Sequence, residues 1–177
     1  FFGDYMIAGA DPRLYAEIQD IDNLTETLNT YLEEYNAVSK NPMQLVLFLF
    51  AIEHVSRIAR VLGMPGGNAL LVGVGGSGRQ SLTRLAAFMA DFDLIQIEIS
   101  KNYNKAEWQE DLKRVIRAAA LQPRDAVFLF SDSQIKMPSF VEDINNLLNS
   151  GEIPNLFPSD EKAECIEGAR PYAKAVY

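Results

Sequence analysis

In the stretch DIDNLTETLNTYLEEYNAVSK, Leu24, Leu28, Tyr31, Leu32 and Tyr35 recur at helical spacing, with acidic residues on the opposite side. This predicts an amphipathic helix with Glu33 and Glu34 in water. Asn41-Pro42-Met43-Gln44 then reads as a helix start: Asn41 as N-cap, Pro42 at the first helical position, Gln44 placed for a capping box. The expected helix runs from 42 to about 62 and stops at the loop Gly63-Met64-Pro65-Gly66-Gly67. From Asn68 the pattern changes. ALLVGV (69–74) is a short apolar run of the kind a buried strand uses. A helix over about 78–89 follows, with Leu82, Leu85, Ala86 and Met89 inward. DLIQIEIS (93–100) alternates strictly and suits a strand with one apolar face. Asn104 and Glu107 form a capping-box pair for a helix to about Ala120, and AVFLF (126–130) reads as a third strand ending in Ser131-Asp132. Ser139 and Glu142 are expected to cap a helix to about Asn149, closed by Gly151. The remainder, containing Pro154, Pro158 and Pro171, is expected to be mostly loop, and residues 1–19 fit no clear pattern.

Strand and helix alternating three times predict an α/β fold with a parallel sheet and right-handed crossovers. The expected organisation is an N-terminal segment with two helices (1–66) leading into an α/β core (67–177).

Composition narrows this only a little. The 177 residues, 48% apolar and 23% charged, suffice for one domain with a real core. A net charge of −8 argues against nucleic acid as the main partner, because phosphate contacts need Lys and Arg. The longest apolar run, LVLFLFAI (45–52), is far short of the roughly 20 residues that span a bilayer, so no membrane partner is expected. Cys165 is the only cysteine and His54 the only histidine, so neither a disulfide nor a histidine metal cluster is expected. The opening FFGDYM and the ending GARPYAKAVY suggest a piece of a longer polypeptide.

The candidate chemistry lies in GVGGSGRQS (73–81), between the apolar run and the next helix. A glycine-rich turn at a helix N-terminus offers free backbone N–H groups and the positive end of the helix dipole, both of which favour phosphate. Two templates fit. As G-x-G-x-x-G the loop reads Gly73, Gly75, Gly78, and Glu98 stands 20 residues after Gly78, where a dinucleotide fold places its ribose-binding acid. As a P-loop it runs Gly73, Val74, Gly75, Gly76, Ser77, Gly78, with Arg79 at the lysine position and Gln80 at the Ser/Thr position; Ser81 falls one residue late. Gln96 and Glu98 on one side of the second strand give it the look of an edge strand, which disfavours the dinucleotide template. A strand ending in acid about 50 residues after the loop favours a mononucleotide site, with Asp132 or its neighbour near magnesium. Arg79 keeps the charge of lysine without its shape, and Gln80 lacks the metal-binding hydroxyl. Such a site suits holding ATP or ADP better than hydrolysing it.

The blocks LVLFLFAIEHVSRIARVL, GNALLVGVGGSGRQSLTRLAAFM, VFLFSDSQI and FVEDINNLLNSGEIPNLF together resemble the dynein heavy chain, and within it the fourth of six AAA+ modules, in the axonemal type. The resemblance covers nearly the whole chain. It implies an AAA+ P-loop sheet of order 5-1-4-3-2, of which strands 1–3 are visible here, and it makes the spacing of Glu98 a coincidence. It places Gly73 to Gly78 on the Walker A frame. The Walker B-like pair is either Ser131 and Asp132 or Asp132 and Ser133; in both registers one acid is missing. It also implies ATP or ADP as ligand, with or without Mg²⁺ through Asp132, and adenine contacts from Tyr15 and Ile18. The implied role is conformational relay in ATP-driven, microtubule-based movement, with weak or no hydrolysis in this module. The implied partners are neighbouring AAA+ modules of the same heavy chain, and intermediate and light chains and microtubules through the full-length protein. The implied places are cytoplasm and cytoskeleton, in the axoneme of a cilium or flagellum. From the residues alone, an NAD-dependent oxidoreductase domain or a stand-alone P-loop ATPase remains the alternative.

Overall fold

The computed structural model describes residues 1–176, and the side chains of residues 1–173. The chain divides into two compact units, Phe1–Leu94 and Ile95 onward.

In the first unit, β1 (Phe2–Gly3) pairs antiparallel with β2 (Ala16–Glu17), Phe2 opposite Glu17. Helices α1 (Ile21–Val38), α2 (Leu49–Leu62) and α3 (Arg79–Met89) follow. Asp20 caps α1 by accepting from the Asn23 N–H at 3.0 Å. The helices bury the residues that the 3.6-residue period selects: Leu24, Leu28 and Leu32 on α1, Ile52, Val55 and Ile58 on α2, and Leu82, Leu85, Ala86 and Met89 on α3. Beside this apolar core lies a small polar network. The Tyr5 hydroxyl and Ser56 Oγ are 2.7 Å apart, and the Tyr31 hydroxyl donates to the Tyr5 carbonyl at 2.9 Å. Arg13 Nη1 donates to the Met89 carbonyl at 2.6 Å and ties the N-terminal segment to the end of α3.

The second unit begins inside β3 (Asp93–Gln96), which neighbours β4 (Ala126–Leu129) in a small parallel sheet. Between them α4 (Lys105–Leu121) makes the crossover, and its capping box of Asn104 and Glu107 is formed as expected. A 3₁₀ turn (Asp132–Gln134), α5 (Pro138–Ser150) and α6 (Ser159–Val176) complete the unit. Its core centres on Trp108, stacked on Phe140 at 4.3 Å, with the indole N–H donating to Asp143 at 2.8 Å. Helix α6 is held to α4 by Glu161, whose carboxylate meets Lys113 at 3.0 Å and Arg117 at 2.8 Å.

The α/β alternation stands, and five local expectations need correction. The strand expected over 93–100 ends at Gln96, and residues 97–100 are not strand. Residues 42–48 are not helical, and α2 starts at Leu49 with Phe48 as N-cap. The Asn36 side chain explains this: it accepts from the Met43 N–H at 2.7 Å and donates to the Met43 carbonyl at 2.8 Å, so both polar groups of residue 43 are taken from a helical ladder. Residues 69–74 carry no strand pairing; Leu70, Val72 and Val74 are 90%, 83% and 79% exposed. An apolar run becomes a strand only when a ladder partner satisfies its backbone, and none of the described residues supplies one here. Helix α5 begins a turn position early, at Pro138, so Ser139 is not its cap. The tail is largely helix, because Pro154 and Pro158 precede α6 and Pro171 removes a single N–H from it.

Two outcomes are expected. Leu85→Ala, at a fully buried position, lowers unfolding free energy by about 3 kcal/mol in denaturant titration. Burial raises the Tyr5 phenol above its ordinary value of 10.0; the Ser56 hydroxyl opposes this and the Asp4 charge adds to it. The folded state therefore holds that proton more tightly than the unfolded chain. Its stabilising contribution is complete below pH 10 and is lost as pH rises through the folded value. Tyr5→Phe should flatten the fall of stability above pH 10 relative to the unaltered chain.

Candidate phosphate-binding site

The loop of residues 73–78 lies wholly in the first unit and leads into α3. Gly76 and Gly78 have φ of 77° and 76°, a left-handed backbone that costs other L-residues about 1–2 kcal/mol. Gly78 is the N-cap of α3. No side chain caps that helix start, and its first turn holds no acidic residue. The first N–H groups of an α-helix have no intrahelical acceptor, so the positive end of α3 is met by no carboxylate of its own first turn. A Cβ added at Gly75, Gly76 or Gly78 would meet nothing within 4 Å, so the loop faces open space. The buried face of α3, with Leu85 and Ala86 fully enclosed, fixes the axis along which those amides point.

The other predicted loop residues sit as follows. Val74 and Ser77 are exposed, and the Ser77 N–H donates to the Val74 carbonyl at 3.4 Å. Arg79 is half-buried and turned inward: Nη1 donates to the Leu71 carbonyl at 3.3 Å and Nη2 to the Val74 carbonyl at 3.1 Å. Gln80 is exposed and Ser81 half-buried in the first turn of α3.

Tyr15 and Ile18 part company. Ile18 is 7% exposed and belongs to the core of the first unit. Tyr15 lines a cleft of about 390 Å³ with Asp4, Arg60 and Met64, its ring stacked near Phe2 and under the Arg60 guanidinium. A second cleft of about 220 Å³ shares Asp4, Tyr5, Ala59 and Gly63 with it and reaches Met89 and Ala90 at the far end of α3. That end is about 15 Å from Arg79, at 1.5 Å per residue.

Ser131 and Asp132 belong to the second unit. Asp132 is exposed at the start of the 3₁₀ turn, where its Oδ1 accepts from the Ser133 N–H at 3.0 Å. The Ser131 and Ser133 hydroxyls are 2.9 Å apart. A carboxylate in this setting suits Mg²⁺, which takes one or two protein carboxylates and completes its shell with phosphate and water. No group of three or more acidic, His or Cys side chains with metal-site spacing occurs among the described residues. Glu98 is exposed, two positions beyond the end of β3.

One residue escaped the sequence reading. Gln134, 7% exposed, accepts from the Ser131 N–H at 2.7 Å and donates to the Ile97 carbonyl at 2.6 Å. It joins the turn carrying Asp132 to the chain just after β3. The spacing of Ser131 and Gln134 is that of a capping box, a signal present in the sequence and overlooked beside the acid.

The profile of a family described as P-loop containing dynein motor region D4 matches residues 43–176. Dynein axonemal heavy chain 3 of Mus musculus is 54% identical over 174 residues, which cover 98% of this chain and 4% of that protein. Dynein axonemal heavy chain 1 of Homo sapiens is 49% identical over 97% of this chain, and dynein axonemal heavy chain 6 of Homo sapiens 49% identical over 99% of it. The chain spans 4% of the length of each of these relatives.

Gln134→Met, similar in size, leaves the Ser131 N–H and the Ile97 carbonyl unpaired. It should cost about 2 kcal/mol in chemical unfolding, within the range for orphaned buried groups.

Proposed function

The chain belongs to the family of the P-loop-containing dynein motor region D4, and on that premise we propose that it is the nucleotide-binding α/β part of one motor module of an axonemal dynein heavy chain. Its loop, Gly73 to Gly78 with the first turn of α3, holds the phosphates of ATP or ADP through backbone amides. The observation that carries this is the uncapped start of α3 behind two left-handed glycines, with open space in front. Tyr15 and Ile18 stay outside the proposed site, because Ile18 serves the core and the cleft at Tyr15 adjoins the far end of α3.

The module holds nucleotide rather than turning it over. Gln80 brings no hydroxyl to a metal at its position, and of the two positions after the third strand only Asp132 is acidic. The site therefore works as a structural or regulatory station. Binding there biases this module, which passes conformational change to neighbouring AAA+ modules of the same heavy chain during microtubule-based movement. Intermediate and light chains and the microtubule are reached through the full-length protein, in the axoneme of a cilium or flagellum. Residues 69–74 become a paired strand when chain from outside residues 1–177 lies beside them, as the 5-1-4-3-2 order requires. Residues 67–177 are then the core of the module and 1–66 its lead-in.

Calorimetric titration should detect ADP and ATP and give no heat with NAD. Gly78→Val, strained at its φ of 76°, should weaken ADP binding by about tenfold or more, the equivalent of an αL penalty of ~1–2 kcal/mol. Steady-state turnover should stay far below the ~1 s⁻¹ at the low end of ordinary enzymes. Binding of NAD alone would reject the proposal, and fast Mg²⁺-dependent hydrolysis would favour an active P-loop ATPase.

A further inference from the structure

Arg79 is the first residue of α3, directly after the left-handed Gly78. Its side chain does not extend into the space before the loop. It turns back across the base of the loop, where Nη1 and Nη2 donate to the carbonyls of Leu71 and Val74 at 3.3 and 3.1 Å. A Cβ built on Gly73 would stand 3.7 Å from Arg79 Cδ and 3.8 Å from Cζ, so the guanidinium lies against the backbone of Gly73. One side chain thus links the start of α3 to two carbonyls on the approach to the loop.

Two facts give this link weight. Residues 69–74 have no ladder partner among the described residues, so the bonds from Arg79 are part of what holds this approach in place. The guanidinium also suits the task in a way an ammonium does not. It is a planar fork of fixed angles with five N–H donors, and can serve two carbonyls through two nitrogens at once. Lysine carries its charge at one point on a flexible stem.

We propose that Arg79 is a positioning residue of the phosphate loop: it braces residues 71–74 against α3 and so sets the path on which Gly75 to Gly78 present their amides. The phosphates are then held chiefly by those amides and the helix start, with the charge of Arg79 secondary. The ligand in this inference rests on the nucleotide-binding reading above; the brace itself does not. The two roles predict opposite outcomes for the variant that restores the consensus lysine. If charge were decisive, Arg79→Lys would bind as well as the unaltered chain or better. With a brace, Arg79→Lys keeps the charge and loses the geometry.

The test compares the unaltered chain with Arg79→Lys and Arg79→Gln in two measurements. Backbone ¹⁵N order parameters of the nucleotide-free protein should drop over residues 71–78 in both variants, toward the flexible range below about 0.6. Order parameters in α1 and α4 should not change, which shows that both variants remain folded. Calorimetric titration with ADP should show both variants weakened by about tenfold. Order parameters over 71–78 in Arg79→Lys equal to those of the unaltered chain would overturn the brace, and so would undiminished ADP affinity in that variant. If no form binds ADP, the nucleotide reading fails, while the relaxation measurement still decides whether Arg79 braces the loop.

Discussion

The structure depends most on a backbone constraint at two glycines. Between residues 69–74 and helix α3 the chain turns through positive φ at Gly76 and Gly78. Only glycine takes that conformation without strain. The turn delivers the chain into α3 with its first N–H groups facing outward, and the helix is then clamped by Leu82, Leu85, Ala86 and Met89 against α1 and α2. The apolar core and the polar loop are therefore one device. Burial fixes the helix axis, the glycines open its start, and the helix dipole gives that start its preference for anions.

Much of this was legible in the sequence where the cause is local. Helix α4 follows from Asn104 and Glu107, three residues apart, whose side chains complete each other's bonds. The end of α5 follows from Gly151, which takes φ of 73°. Where the cause is not local, the pattern misled. Asn41-Pro42 has every mark of a helix start, yet Asn36 reaches forward from the previous helix and pins Met43 on both its polar groups. The buried positions Met43 and Leu47, with Leu45 partly buried between them, in fact repeat every two residues, the period of an extended chain. ALLVGV has the composition of a strand, but a strand is a pairing, and the partner is not written in the run itself.

The candidate site divides along the same line. Glycine spacing announces the phosphate loop, and family membership removes the coincidence offered by Glu98. The work of Gln134 and Arg79 is not readable in that way. Gln134 looks like an ordinary polar residue after an acid until the fold brings the Ile97 carbonyl to it. Arg79 looks like a substitute for the phosphate-binding lysine until its fork is seen on the carbonyls of Leu71 and Val74. Gln134 reaches a carbonyl 37 residues back and Arg79 reaches carbonyls five and eight residues back, and spacing rules written for side chains and ligands do not register such contacts with the backbone.

The central claim is that backbone amides at the start of α3 hold the phosphates of an adenine nucleotide. Amide-resolved NMR during addition of ADP tests it most directly. The account predicts that the largest shifts fall on Gly75, Gly76, Gly78, Arg79 and Gln80, with the amides of α4 and α6 little moved. Shifts centred instead on the cleft of Tyr15 and Arg60, with the loop amides still, would contradict it.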